Sequence, residues 1–169
     1  MMAGSETENW TFHHIGLIVK DLDETINYLK SLGTYKFYPE NPPASYQEFI
    51  AFGTPIVREG ELVCAPGKQI KPSRIRFCSL GSLTYEIIQP FQDFPSNVNK
   101  DFLNKFGEGI SHIGYGVAPE HFKEEVEKMT ARGASVIQSG KTTNGGGYAY
   151  FDTTGGGNII TELMIVFPE

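Results

Sequence analysis

Two segments of the chain share one pattern of apolar and polar positions. Residues 12–19 and residues 110–117 both contain a His-Ile-Gly triplet that continues into an apolar run. Alternation of this kind, with a period of two residues, is typical of a β-strand with one buried face. In the first segment the alternation places His14 on one face together with Gly16 and Ile18. We therefore predict two equivalent strands, each presenting one histidine near its start.

A helix is predicted after each of these strands. In the first half Asp21 can cap the helix, Glu24 occupies the capping-box position, and Gly33 is suited to the residue that follows the helix. In the second half residues 119–132 carry an apolar stripe at helical spacing and end before Gly133. The period of the pattern thus changes from two residues to about 3.6 at the same point in both halves.

Further strands are predicted after each helix. In the first half residues 46–52 and 56–64 are candidates for a strand or a loop, and residues 74–80 and 83–89 flank the pair Gly-Ser, which is typical of a tight hairpin turn. In the second half strands are predicted at residues 134–138, 145–152 and 159–166. A short helix is predicted in the connector between the halves, near residues 98–105. Each half therefore has the order βαβββ, and such internal duplication is itself an architectural signal.

The two βαβββ modules span residues 11–90 and 109–167 and together make one structural domain, which suits a chain of 169 residues. The last strand of each module contains one glutamate, Glu86 or Glu162. The separation between the first-strand histidine and this glutamate is about 22 residues longer in the first module. The extra residues must form an insert near residues 34–72, a stretch that proline divides into short pieces. We expect this insert to shape the substrate pocket, because long inserts in compact domains are usually functional or disordered.

Composition limits the classes of function. The net charge is −6 and there is no basic cluster, which argues against nucleic acid as a partner. No run of 18 apolar residues is present, so we expect no transmembrane helix and no membrane partner. The two cysteines, Cys64 and Cys78, form neither a CxxC pair nor a disulfide framework. We therefore expect reduced thiols and a cytoplasmic location.

Each module offers one imidazole on its first strand and one carboxylate on its last. If the modules pair with their open faces together, the side chains that converge are His14, Glu86, His112 and Glu162. Two nitrogen and two oxygen ligands suit a divalent ion of intermediate hardness, such as Co, Ni, Mn, Fe or Zn. Taken alone, each residue would be interpreted as structural or solvated, and the recurrence in both modules favours a metal site. His13 falls on the opposite face of the alternation and is interpreted as structural.

These segments resemble the vicinal oxygen chelate superfamily, which includes glyoxalase I, methylmalonyl-CoA epimerases, bleomycin-resistance proteins and extradiol dioxygenases. The resemblance covers most of the chain from Phe12 to Val166. It is carried by the two His-Ile-Gly segments, by Glu86-Ile-Ile-Gln-Pro and by Thr161-Glu-Leu-Met. The two-module layout is most similar to methylmalonyl-CoA epimerases. The resemblance implies an α+β fold in which the paired modules form a curved mixed sheet around a central metal site, with the four residues above as ligands.

The resemblance also implies a metal-dependent isomerase or lyase. The ion would chelate vicinal oxygens of an acyl-CoA thioester or an α-keto compound and stabilise an enolate, with Glu162 as the general base. Epimerases commonly have Gln at the position of Glu86, so Glu86 is closer to the glyoxalase ligand set. Epimerases also use a second glutamate shortly before the strand that starts near Arg74. This chain has Gln69-Ile-Lys-Pro72 at that place, and the carboxylates that could replace the missing one are Glu48, Glu59 and Glu61.

Three alternatives stand beside the epimerase-like enzyme. They are a glyoxalase I-like lyase, a non-catalytic small-molecule-binding protein of the resistance type, and an iron dioxygenase. Resistance-type proteins often lack metal ligands, and dioxygenases use two histidines and one glutamate, so a set of four ligands disfavours both. The expected partners are a small-molecule substrate and, as a homodimer, a second copy of the chain.

Overall fold

The fold is described from a computed structural model that covers residues 9–40, 56–58, 61–64, 73–93, 97–142 and 145–167. Most of the predicted insert, including Glu48, Glu59 and residues 69–72, lies outside this part of the chain. Ten strands and three helices are present in the described residues. In chain order they are β1 (Thr11–Ile18), α1 (Leu22–Ser31), β2 (Lys36–Tyr38), β3 (Ile56–Arg58), β4 (Glu61–Cys64), β5 (Ser73–Leu80), β6 (Leu83–Pro90), α2 (Val98–Phe106), β7 (Gly109–Val117), α3 (Pro119–Ala131), β8 (Val136–Lys141), β9 (Gly147–Phe151) and β10 (Ile160–Ile165).

All ten strands belong to one mixed sheet, in the order β2-β5-β6-β1-β7-β10-β9-β8-β3-β4. β1 and β7 pair antiparallel at its centre, and each runs parallel to the last strand of its own module, β6 or β10. The strands of the two modules therefore follow the same order outward from the central pair. The predicted α+β fold with a curved mixed sheet is confirmed.

The hairpin β3-β4 comes from the first module in sequence but extends the sheet of the second. β3 pairs antiparallel with β8 through Val57 and Arg58, and β4 pairs only with β3 among the described residues. This hairpin thus adds two strands to the edge of the sheet on the side of the second module. Nothing in its pattern of apolar residues indicates this destination.

Local signals position the helices as the sequence predicts. The Asp21 carboxylate accepts a hydrogen bond of 2.9 Å from the Glu24 amide at the start of α1. α1 and α3 are each followed by a glycine with positive φ, Gly33 at 71° and Gly133 at 95°, a conformation that glycine adopts without steric cost. The helices therefore end where glycine allows the chain to turn back to the sheet.

The sheet has two differently covered faces. α1 and α3 cover one face, where apolar side chains of both modules are buried, including Leu22 of α1, Ile87 beneath it and Leu163 under α3. Cys78 lies in the first of these clusters as a free thiol, and burial raises its pKa to about 11. None of the helices that the structure describes has the length and apolar character needed to cross a bilayer.

The opposite face carries His14 and His112 and is called the site face below. α2, from the connector between the modules, packs on it across the central seam. Phe102 of α2 packs with Ile18 and Ile88 of the first module, while Val98 packs with two residues of the second module, Tyr150 and Ile160. A helix that the sequence predicts only as part of a connector therefore closes one side of the site face and ties the modules together.

Candidate metal centre

The two histidines face each other across the central strand pair. In the register of β1 and β7, His14 lies opposite Gly114 and His112 lies opposite Gly16. A Cβ on Gly16 would lie 1.9 Å from Cε1 of His112, and one on Gly114 would lie 2.3 Å from Cε1 of His14. Each His-Ile-Gly triplet therefore supplies one imidazole and leaves the space that the imidazole of the other triplet fills. Both histidines are buried, with 1% of their surface exposed.

The two glutamates flank this pair in the same sheet. Glu86 of β6 lies beside Gly16 of β1, and Glu162 of β10 lies beside Gly114 of β7. Because neighbouring residues in register share a face of the sheet, both carboxylates point to the side that carries the histidines. Both are largely buried, with side-chain exposures of 12% for Glu86 and 7% for Glu162.

Four donor atoms meet at the centre. Nε2 of His14 lies 3.2 Å from Oε2 of Glu86 and 3.1 Å from Oε2 of Glu162, and Nε2 of His112 lies 3.4 and 3.6 Å from the same two atoms. The two Nε2 atoms are 3.1 Å apart, and one ligand atom from each of the four residues falls within 4.8 Å of all the others. All four residues singled out in the sequence are thus brought together.

These separations fit a metal site. Two ligand atoms at about 2.1 Å from one ion are about 3.0 Å apart at a right angle and about 3.4 Å apart at a tetrahedral angle. The separations between the Nε2 and Oε2 atoms run from 3.1 to 3.6 Å, close to these values. In addition, Oε2 of Glu162 is buried and has no hydrogen-bond partner among the described residues beyond the approach of the two imidazoles, so its charge needs a cation beside it, either a protonated imidazole or a metal ion. The donor set and its spacing therefore suit a divalent ion.

The charges of the four residues depend on one another. Burial opposes a charge on His14, yet the carboxylates of Glu86 and Glu162 raise its pKa to about 10. Burial alone would likewise raise the pKa of Glu86, but His14 and His112 hold it well below its usual range. In the metal-free protein a proton on His14 therefore neutralises part of the carboxylate charge. A divalent cation would take over this role and displace the proton.

The outward nitrogen of each imidazole also has a partner. Nδ1 of His14 lies 2.9 Å from Nδ1 of His13, and Nδ1 of His112 lies 2.8 Å from Oγ of Ser111. The interpretation of His13 as a residue of the opposite face is wrong, because β1 contains a bulge between Phe12 and His14. A bulge inserts one extra residue and redirects its side chain. The role of Ser111 is not visible in the sequence for the same reason, since strict alternation does not reveal a bulge.

Aromatic side chains line the centre, and they differ between the modules. Tyr150 of β9 lies in register with Glu162, and its ring packs edge-on against His112 with centroids 5.2 Å apart. The equivalent neighbour of Glu86 is Phe77 of β5. Burial raises the pKa of Tyr150 well above its usual value, so its hydroxyl keeps its proton. The alternation of apolar and polar residues identifies Tyr150 as a neighbour of Glu162 only when the register of β9 and β10 is known.

Polar contacts also connect α2 to the aromatic residues beside Glu162. The amide of Val98, at the start of α2, donates a 3.0 Å hydrogen bond to Oε1 of Gln138, and Gln138 lies in register with Tyr150. Burial raises the pKa of Tyr148 to about 12, and its ring lies 5.6 Å from that of Tyr150. The helix that closes the site face is therefore tied to the tyrosines beside Glu162.

The carboxylates predicted to replace the second base of epimerases all come from the insert. Of the three candidate carboxylates, Glu48 and Glu59 lie outside the described residues. Glu61 starts β4, the last strand on the second-module side of the sheet. A second base in the insert stays a prediction.

Solved structures with the same fold include a hypothetical protein and methylmalonyl-CoA epimerases. A hypothetical protein from Bacillus halodurans C-125 is 18% identical, with 96% of this chain and 98% of that chain covered and a TM-score of 0.63. The methylmalonyl-CoA epimerase of Mycobacterium tuberculosis is 18% identical, with coverages of 99% and 94% and a TM-score of 0.60. A methylmalonyl-CoA epimerase in complex with methylmalonyl-CoA and NH4+ is 17% identical, with coverages of 94% and 95% and a TM-score of 0.59. At these identities the likeness shows the fold alone.

The sequence itself decides the family. A search of curated proteins found no significant match. The family model described as glyoxalase/bleomycin resistance protein/dioxygenase superfamily, however, matches residues 13–151. This range includes three of the four converging residues and most of both modules. The chain therefore belongs to the glyoxalase/bleomycin resistance protein/dioxygenase superfamily, the vicinal oxygen chelate proteins.

Proposed function

We propose that the protein is a metal-dependent isomerase or lyase whose ligands are His14, Glu86, His112 and Glu162. The observation that carries this proposal is the convergence of the four buried ligand atoms within 4.8 Å of one another. The proposed ion is Co, Ni, Mn, Fe or Zn, which accept mixed nitrogen and oxygen ligands. A resistance-type binding protein has no need of such a cluster, and a dioxygenase-type ion uses one carboxylate fewer.

An acyl-CoA thioester or an α-keto compound is the proposed substrate class. One methylmalonyl-CoA epimerase with this fold is in complex with methylmalonyl-CoA, and an enolate formed from such a substrate carries negative charge on oxygen. A divalent ion at the centre would polarise the substrate carbonyl and stabilise that charge. The residues of this chain would supply proton transfer, orientation and exclusion of water.

Glu162 is the proposed base that removes the proton from the substrate α-carbon. Its carboxylate is the one with a tyrosine beside it, since Tyr150 lies in register with Glu162, whereas Glu86 has the phenyl ring of Phe77 beside it. The Tyr150 hydroxyl would help to hold the carboxylate in place while it accepts the substrate proton. α2 and the tyrosines beside it keep bulk water from this side of the centre, which strengthens electrostatic interactions inside it.

The presence of glutamate at position 86 favours a second candidate function within the same class of enzyme, that of a glyoxalase I-like lyase. The resemblance places Gln at this position in many epimerases and a glutamate in the glyoxalase ligand set. Both reactions begin with removal of a proton from the carbon next to a carbonyl group, so the two candidates share the base and differ in the substrate that the pocket admits.

Metal content and proton exchange test the proposal together. The protein is purified without chelators, its metals are measured, and exchange of the substrate α-proton is followed in deuterated water. Racemic methylmalonyl-CoA and the methylglyoxal–glutathione hemithioacetal serve as the two substrates, and His14→Ala serves as the matched control. We expect about one ion per chain and exchange with one substrate, with both lost in His14→Ala. Metal binding that is equal in His14→Ala and the wild type would overturn the site, and bound metal without exchange of either substrate would favour a binding protein.

A further inference from the structure

The residue before each histidine is the extra residue of a bulge. Between β1 and β7, Phe12 pairs with Tyr115 and His14 with Gly114, which leaves His13 without a partner in the register. On the other side His112 pairs with Gly16 and Ile110 pairs with Leu17, which leaves Ser111 as the extra residue of β7. The two modules therefore carry the same irregularity at equivalent places, next to the histidines that converge on the centre.

Both extra residues use their side chains in the same way. Ser111 is buried, with 1% exposure, and its Oγ lies 2.8 Å from Nδ1 of His112. His13 is half-buried and its Nδ1 lies 2.9 Å from Nδ1 of His14. In a regular strand the side chain at this position would point to the opposite face. The bulge is what brings each of them alongside the imidazole of the next residue.

These contacts select the tautomer that a metal-binding imidazole needs. A neutral histidine that offers the lone pair of Nε2 to a cation carries its hydrogen on Nδ1, and that N–H needs an acceptor. Oγ of Ser111 can accept a hydrogen bond from this N–H and donate its own hydrogen bond to the carbonyl oxygen of Gly16, which lies 3.5 Å away. In His13 the acceptor is Nδ1, which requires the hydrogen of that ring to be on Nε2. Both contacts fix the same tautomer, with Nε2 free for the centre.

We propose that Ser111 and His13 are positioning residues that hold His112 and His14 with Nε2 directed at the ion. The inference rests on the proposed metal function and adds to it the two residues that prepare its nitrogen ligands. Partners of this kind fix the orientation and raise the basicity of a metal-bound imidazole, and their loss costs about 10- to 100-fold in metal affinity.

Ser111 provides the clearer test, because the hydroxyl is removed with little change in volume. Ser111→Ala deletes the acceptor and Ser111→Thr keeps it on a residue that strands accept well. Zn²⁺ affinity is measured by competition with a chromophoric chelator, and the melting temperature of the metal-free protein is measured beside it. We expect Ser111→Ala to lose about 10- to 100-fold in Zn²⁺ affinity with little change in melting temperature, and Ser111→Thr to restore the affinity.

A spectroscopic measurement separates tautomer control from packing. In ¹⁵N-labelled Zn²⁺-bound protein, the Nδ1–H of His112 should give a slowly exchanging resonance that Ser111→Ala broadens or shifts. The pair His13→Phe and His13→Gln repeats the affinity test in the first module, because Gln offers an acceptor oxygen and Phe does not. This second pair decides the matter if Ser111→Thr fails to fold.

The outcomes separate the two proposals. A wild type that binds no divalent ion would overturn the metal function and this inference with it. A wild type that binds Zn²⁺ while Ser111→Ala and His13→Phe bind it within about threefold would overturn only the positioning role. Loss of affinity in Ser111→Ala that a folded Ser111→Thr does not restore would overturn it as well, since packing rather than the acceptor would then be responsible.

Discussion

The two modules contribute the same pair of candidate ligands but surround them differently. Glu86 has Phe77 in register on the next strand, and Glu162 has Tyr150 at the equivalent place. Both carboxylates approach the two histidines of the centre, but only Glu162 has a hydroxyl-bearing ring in register with it. Duplication accounts for what the modules share, and this difference between the neighbours of the carboxylates is the reason that Glu162 is the proposed base.

The comparison is tested most strongly by exchanging each carboxylate for an amide. Glu162→Gln keeps an oxygen that can coordinate but removes the base, so we expect α-proton exchange to fall by about 10² to 10⁴-fold while most of the metal is kept. Glu86→Gln is the matched control and should be milder. Exchange in deuterated solvent measures both. Wild-type exchange in Glu162→Gln would make Glu162 only a ligand, and the base would then be sought in the insert.

Each of the two histidines fills the space beside a glycine of the other strand, and this packing can be disturbed without replacing a candidate ligand. Gly114→Ala would push against the ring of His14, because the new Cβ would lie 2.3 Å from Cε1. We expect at least a tenfold loss of metal affinity, measured by Zn²⁺ competition, together with the cost of about 1–3 kcal/mol that is typical of overpacking.

Gly116→Ala is the control, since its Cβ would meet Cγ1 of Val166 at 2.8 Å, away from the centre. It should lose stability but keep the metal. Equal loss of metal in the two variants would mean that general distortion, rather than displacement of His14, weakens the site.

A third test concerns the proton on His14 that the ion must displace. Because the pKa of His14 is about 10 in the metal-free protein, the imidazole is protonated throughout the neutral range, and binding of an ion releases that proton. We expect apparent metal affinity to rise about tenfold per pH unit between pH 7 and pH 9. Calorimetry in buffers of different ionisation enthalpy counts the released protons.

Glu86→Gln provides the comparison for this pH dependence. The Glu86 carboxylate is the largest single contributor that raises the pKa of His14. Its removal should lower that pKa and flatten the dependence of metal affinity on pH near the upper end of the range. If metal affinity depends on pH with the same slope in the wild type and in Glu86→Gln, the displaced proton comes from a group other than His14.

The smallest expected effect comes from the phenol beside Glu162. Tyr150→Phe removes the hydroxyl in register with Glu162 and leaves a phenyl ring, as Phe77 provides beside Glu86, and we expect the exchange rate to fall by less than in Glu162→Gln. Tyr148→Phe is matched to it, because Tyr148 lies in register with Met164 instead of Glu162. Equal rates in the two variants would remove the proposed distinction between the modules at this position.

The sequence predicts the four residues of the centre because the duplication marks them twice. It also predicts the main helices, since Asp21, Gly33 and Gly133 give local start and stop signals that do not depend on tertiary contacts. It could not predict the neighbours of the ligands. Tyr150 reaches Glu162 through a pairing between strands, and His13 and Ser111 are redirected by bulges. Register and bulges depend on long-range pairing, which a pattern along one strand does not contain.

The pairing of the β3-β4 hairpin and the packing of α2 could not be predicted from the sequence for a related reason. The apolar residues of α2, such as Val98 and Phe102, predict a helix with a buried side but not the surface that buries it. Likewise the short strand Ile56–Arg58 is apolar enough to pair but carries no signal for β8. The homodimer and the cytoplasmic location stay predictions.

The pairing of β3 with β8 also has a consequence for biosynthesis. When the first ninety residues have left the ribosome, the hairpin β3-β4 and the inner edge of β1 still lack their partners β8 and β7. Such unpaired edges can recruit strands from other chains. A fragment that ends before β7 should therefore aggregate when expressed alone. Co-expression with the remaining segment should recover soluble material, with the two pieces associating through the same central seam that forms the candidate metal centre.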